Sequence, residues 1–188
     1  EALLRWSHPE NGDIRPDDFI PVTEHTGLIV GIGNWVFEQA LHQASQWRNV
    51  VPDFTVSVNV SPVQFYRSNE EYCSEWLRHC RQAEGVPGSE PAVSLEITEG
   101  LLLAADETVM NKLLAFRNAG IKISLDDFGT GYSSLSYLRK FNVDYLKIDQ
   151  SFVRNLEHEP DNGALCEAII VMAHKLGLKV IAEGIETD

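Results

Sequence analysis

An α/β fold built on parallel strands is predicted by three features of the sequence. β-branched runs of strand length recur along the chain, amphipathic helical stretches separate them, and successive strands lie roughly 20 to 40 residues apart, enough for a crossover helix. A closed α/β barrel and a doubly wound sheet both satisfy this pattern. With 188 residues, 44% of them apolar, the chain can bury one sizeable core.

Taken in order, Phe54 to Val60 (FTVSVNV), Ala92 to Thr98 (AVSLEIT), Ile121 to Asp127 (IKISLDD), Val143 to Asp149 (VDYLKID) and Leu178 to Gly184 (LKVIAEG) read as strands. Residues 33–50 place Trp35, Val36, Ala40, Leu41, Ala44 and Trp47 at the spacing of an amphipathic helix. Residues 69–85 follow the same period and end on Gly85. Residues 107–120 end on Gly120 and residues 162–177 on Gly177, each glycine a natural helix C-cap. No linker or low-complexity segment interrupts the series.

Composition excludes several classes of function. A formal net charge of -13 opposes binding to a nucleic-acid polymer, whose affinity comes from Lys and Arg neutralising phosphates, but leaves open a small phosphate ester held through metal ions. Cys73, Cys80 and Cys166 are an odd number without CxxC spacing, so neither a disulfide framework nor a zinc ribbon is expected. The six histidines are scattered without an HExxH or HxH pattern and read as surface or helix-packing residues. No run approaches the roughly 18 apolar residues of a membrane helix. A reducing cytoplasm is the expected location of the domain, with membrane attachment of a longer parent protein left open.

The strands carry an unusual polar face. Side chains alternate along a strand, so Phe54, Val56, Val58 and Val60 oppose Thr55, Ser57 and Asn59; Val93, Leu95 and Ile97 oppose Ser94, Glu96 and Thr98; and Ile121, Ile123 and Leu125 oppose Lys122, Ser124 and Asp126. Asp127 follows as the start of the turn. A parallel strand covered on both sides is ordinarily apolar on both, so a polar face that recurs and ends in carboxylate or amide needs an explanation. If these faces line a barrel, Asn59, Glu96, Asp126, Asp127 and Glu183 meet Lys147 at the C-terminal mouth, where barrel enzymes keep their active sites. Carboxylates so crowded require cations, and oxygen ligands favour Mg²⁺, Mn²⁺ or Ca²⁺ over zinc.

The motifs EALLRW, NVSP, EITE, DDFGTGYSSL, KID and AEGIE occur in the order seen in EAL domains, and over essentially its whole length the chain resembles an EAL-type cyclic di-GMP phosphodiesterase. The resemblance implies a TIM-like (β/α)8 barrel with one antiparallel strand, here truncated at both ends, with an upstream strand and the last strand-helix units expected outside residues 1–188. It implies hydrolysis of cyclic di-GMP to linear pGpG with two Mg²⁺ or Mn²⁺ ions per site, Ca²⁺ being inhibitory. Glu1, Asn59, Glu96 and Asp126 match metal ligands, and Asp127 matches a ligand of the second metal. Asp127 is counted with Lys147 and Glu183 among the catalytic residues, the last two positioning or activating the attacking water. Leu3, Arg5, Asp149 and Glu186 match positions near the substrate, and Glu99 matches a residue that holds the DDFGTGYSSL loop. A homodimer is implied, together with an upstream sensor or GGDEF-type domain.

Two metals about 3.5 to 4 Å apart would relieve charge on the phosphoryl oxygens and assist both the entering and leaving oxygens, with Asp126 bridging them. The two glycines around Thr130 permit a tight turn directly after the acid pair, leading into a short helix from Tyr132. The competing reading within the family is a receptor that binds cyclic di-GMP without cleaving it. Outside it, an enolase-like or aldolase-like barrel would use Lys147 as a base or Schiff-base lysine.

Overall fold

A computed structural model describes the chain except for residues 68–69, 84–89, 130–137, 139–140, 142, 155, 157–159 and 186–188. The proposed cap at Gly85, the helix from Tyr132 and Glu186 lie outside the described residues. In chain order the elements are β1 (Trp6–His8), β2 (Gly12–Ile14), α1 (Pro16–Thr26), α2 (Ile29–Trp47), β3 (Val56–Asn59), α3 (Pro62–Arg67), α4 (Glu70–Ala83), β4 (Val93–Thr98), α5 (Glu99–Ala104), α6 (Glu107–Asn118), β5 (Ile123–Phe128), β6 (Tyr145–Ile148), α7 (Gln150–Val153), α8 (Pro160–Lys175) and β7 (Lys179–Ala182). All five predicted strands form, and their hydrogen-bonded order β3-β4-β5-β6-β7 follows the chain. Strands that neighbour one another in chain order across intervening helices are the mark of an α/β fold. None of the described helices is long and apolar enough to cross a membrane.

The chain divides into two compact units, Glu1–Leu95 with Glu107–Ile121, and Glu96–Asp106 with Lys122–Asp188, the boundary falling within β4. In the first unit, Phe37 of α2 stacks on Trp76 of α4 at 4.0 Å between ring centroids, and Phe116 of α6 meets the same indole at 5.9 Å. Trp76 donates its ring N–H to Asn34 at 2.6 Å, which lets a buried indole keep a hydrogen bond. Arg48, just past α2, donates to the carbonyls of Phe54, Glu90 and Pro91 at 2.7, 2.7 and 3.0 Å, tying the approaches to β3 and β4 together. Ala2 forms a parallel bridge to Val58 of β3.

Helix α2 departs from its predicted face. Ala40, Leu41 and Ala44 are buried as expected, but Trp35 and Trp47 are about half exposed. Both line a groove of about 420 Å³ with Glu1, Leu3 and Arg5, so the apolar stripe of α2 is wider than the surface that covers it. The antiparallel pairing among the described residues is the β1-β2 hairpin, with Trp6 opposite Ile14, and it lies outside the five-stranded sheet.

In the second unit, β6 pairs in parallel with β5 on one side and β7 on the other. Leu146 and Ile148 of β6 are fully buried on one face, and Lys147 is 4% exposed on the other. A lysine so placed requires anionic partners, because an isolated ammonium is costly to bury. Helix α8 packs against β6, β7 and α7 and contributes buried Cys166 and Ala173 to this core. It ends at Gly177, whose φ of +79° fits the predicted cap, as the +83° of Gly120 does after α6.

Candidate active site

The acid pair sits at an irregularity in β5. Leu125 lies opposite Leu146 and Phe128 opposite Ile148, with a register shift between them, so Asp126 and Asp127 together face the single residue Lys147 of β6. Asp127 has a φ of +54°, the left-handed region that a non-glycine residue enters only when its surroundings hold it there. This is a β-bulge, which re-aims side chains that strict alternation would send to opposite faces. Asp127 is therefore the bulge residue inside a strand that runs on to Phe128, which corrects the expectation that it begins the turn. Its backbone N–H donates to the Asp126 carboxylate at 3.0 Å.

Lys147 is the hub of this cluster. Its Nζ lies 2.7 Å from Glu183 Oε1, 3.0 Å from Glu96 Oε2 and 3.2 Å from Asp126 Oδ1, so three carboxylates form ion pairs with one ammonium. Burial alone would lower the lysine pKa, but the hydrogen bonds to Glu183 and Glu96 and the charges of Glu96 and Asp126 hold it well above its ordinary value. Glu183 reaches the hub because its backbone N–H continues the ladder past β7, donating to the Ile148 carbonyl at 3.1 Å.

Single carboxylate oxygens of Asp126, Asp127 and Glu183 all lie within 4.8 Å of one another. Burial pushes the Asp127 pKa up, and the neighbouring charges of Asp126, Asp149 and Glu183 push it further, with Lys147 opposing them. The site thus carries more negative charge than its lysine compensates. All three donors are oxygens, and exposure rises from buried Lys147 and Glu96 out to exposed Asp127, so the set fits a hard divalent cation approached from solvent.

Asp149 does a different job here from its neighbours. It caps α7, its carboxylate accepting from the backbone N–H of Ser151 at 2.9 Å and from the Ser151 hydroxyl. The Ser151 hydroxyl, aided by backbone N–H groups and Arg154, holds the Asp149 pKa below the usual carboxylate value against the effect of burial. Glu99 opens α5 with both carboxylate oxygens buried and without a hydrogen-bond partner among the described residues. Most of the loop it was expected to hold lies outside them.

The remaining sequence candidates lie in the first unit. The amide of Asn59, at the exposed end of β3, donates to Glu1 at 2.7 Å. Leu3 is 56% exposed beside the groove, and Arg5 donates to the Leu4 carbonyl at 2.9 Å. Sequence reasoning missed Ser151. For Ser151 a signal existed, since Asp-x-Ser ahead of a helical turn is a capping pattern.

A protein-family model described as "EAL domain" matches residues 1–188. The bifunctional diguanylate cyclase/cyclic di-GMP phosphodiesterase MucR of Pseudomonas aeruginosa is 40% identical over 192 residues, covering 100% of this chain and 27% of that protein. The cyclic di-GMP phosphodiesterase PdeR of Escherichia coli is 39% identical over 187 residues, covering 100% of this chain and 28% of its own length. The chain therefore spans about a quarter of these relatives. Among solved structures, the PaMucR phosphodiesterase in complex with c-di-GMP matches with a TM-score of 0.84 at 39% identity, over 99% of this chain and 74% of that one. The FimX EAL domain of Pseudomonas aeruginosa bound to c-di-GMP has the same TM-score at 18% identity over 98% of this chain and 72% of that one, a likeness of fold alone.

Proposed function

We propose that this chain, which belongs to the EAL domain family, hydrolyses cyclic di-GMP to linear pGpG with Mg²⁺ or Mn²⁺, lowering this bacterial second messenger. The observation that carries the reading is the bulge that turns Asp126 and Asp127 toward Glu183 beside a buried Lys147. Relatives named as cyclic di-GMP phosphodiesterases support it at 39% and 38% identity.

In this reading Glu1, Asn59, Glu96, Asp126 and Asp127 would hold the divalent ions. When bound, the divalent ions supply positive charge to the phosphoryl oxygens and to the entering and leaving oxygens of an in-line displacement. Glu183 orients the attacking water and accepts its proton. The water oxygen bonds to phosphorus, one bridging P–O bond breaks, and the proton lost by the water balances the one gained by the leaving alkoxide. Lys147 fixes Glu96, Asp126 and Glu183 so that none has to reorganise during the reaction. Leu3, Arg5, Asp149 and Glu186 contact the substrate, and Glu99 steadies the loop after the acid pair.

Ca²⁺ is expected to inhibit, being larger and more loosely coordinated than Mg²⁺. The domain is proposed to act in the cytoplasm as a homodimer, within a longer protein carrying a sensor or GGDEF-type domain. Incubating the intact protein with cyclic di-GMP and Mg²⁺ or Mn²⁺ tests the reading. Chromatography should show pGpG, whereas bound but uncleaved cyclic di-GMP would identify a receptor.

A further inference from the structure

The acid pair depends on backbone that L-residues avoid. Asp127 at φ +54° and Gly129 at +102° put two positive-φ positions within three residues, and a non-glycine residue such as Asp127 stays there only if neighbouring groups hold it. At Gly129 the nearest described side chains are Phe152 of α7 and Ile169 of α8. A Cβ built on Gly129 would lie 3.0 Å from Phe152 Cε2, 3.2 Å from its Cζ and 3.6 Å from Ile169 Cδ1, so the Phe152 ring rests directly on the backbone two residues past Asp127.

The same short helix meets the other acid-bearing turn. Gly184, which follows Glu183 and has a φ of +72°, would place a Cβ 2.9 Å from Gln150 Cβ and 3.6 Å from its Cα. Helix α7 is in turn fixed by the Asp149 cap and starts two residues after Ile148, directly beyond the strand that presents Lys147. One element therefore touches the backbone beside both exposed-side carboxylates.

We propose that α7 is a positioning element of the active site, Phe152 holding the bulge that aims Asp127 and Gln150 holding the turn that aims Glu183. The inference rests on the reading of the cluster as a divalent-metal site. Such support matters because a ligand held loosely by its surroundings loses metal affinity without leaving the site.

The test is equilibrium Mn²⁺ binding to the intact, metal-stripped protein by calorimetry, without substrate, alongside its thermal midpoint. Phe152→Ala should raise the Mn²⁺ dissociation constant about tenfold, in the range seen when supporting residues around metal ligands are removed. Phe152→Leu, which refills most of the contact, should bring it back to within about threefold of wild type. Ile170→Ala, which matches Ile169→Ala in size but lies on the exposed side of α8, should leave it unchanged. A folded Phe152→Ala protein that binds Mn²⁺ like wild type overturns the proposal, as does Ile170→Ala weakening binding equally. If Phe152→Ala does not fold, Ile169→Ala thins the same contact from α8 and carries the same expectations. A wild-type protein that binds no Mn²⁺ refutes the metal-site reading itself, and this inference with it.

Discussion

Replacing Lys147 by methionine removes the ammonium and keeps nearly the same shape. At 2.7 to 3.2 Å from three carboxylates, each ion pair is worth about 5 to 6 kcal/mol of gross Coulomb attraction at an effective dielectric near 20. Most of that is offset by desolvation of a lysine side chain 6% exposed and a Glu96 side chain 5% exposed, and by repulsion among the acids. Breaking a buried pair by deleting one partner leaves a net loss of about 3 to 5 kcal/mol. For a domain of this size that lowers the thermal midpoint by roughly 6 to 20 °C. Calorimetric unfolding of metal-stripped protein at pH 7.5 measures it, with Lys122→Met as control, since Lys122 faces Asp144 at 3.7 Å near solvent and should cost under about 1 kcal/mol. The folded Lys147 pKa lies above its unfolded value, so its contribution is complete below the ordinary lysine pKa and is lost only as pH rises through the folded one. The gap between wild type and Lys147→Met should therefore hold through the neutral range and close only under strongly alkaline conditions. A loss below about 1 kcal/mol at pH 7.5 would refute the hub account.

Asp126→Asn should cut cyclic di-GMP hydrolysis by orders of magnitude, and near-normal turnover at saturating Mn²⁺ would sink its assignment as a metal ligand. Asp127 has a raised folded pKa, so the folded state holds its proton more tightly and metal-free stability rises as pH falls through the carboxylate range. Asp127→Asn should accordingly melt higher than wild type in chelator and lose that acid-side gain, and Mn²⁺ should reverse the order; a lower midpoint in chelator would contradict the repulsion argument. Burial pushes the Cys73 thiol up to about 11, against the pull of Lys112. Iodoacetamide at pH 8 should therefore leave Cys73 unmodified in the native protein and label it only after unfolding, as peptide mapping will show.

Period-two alternation made the strands legible, and with them the buried polar positions Ser94, Glu96, Ser124 and Lys147. Asp127 was rightly expected among the clustered acids but wrongly at the start of a turn, because alternation alone cannot put two neighbouring residues on one side of a strand; a bulge does so through register and backbone dihedrals that composition does not encode. Helix α1 was not anticipated: it is short and contains Pro21, which ordinarily argues against a helix interior. The three-residue strands of the hairpin are too short for a periodic signal. Trp35 and Trp47 fit the helical period of α2 but are half exposed, since period identifies a face without saying what covers it. The packing of α7 on Gly129 and Gly184 was beyond sequence reasoning, because it depends on contacts between backbone and side chains more than 20 residues apart in the chain.

Metal dependence of hydrolysis tests the central claim most directly. After exhaustive chelation, the intact protein should release no pGpG from cyclic di-GMP, and added Mg²⁺ or Mn²⁺ should restore release in a saturable way that Asp126→Asn abolishes. Full hydrolysis in chelator, or cyclic di-GMP bound at saturating Mn²⁺ with no pGpG formed, would contradict the account.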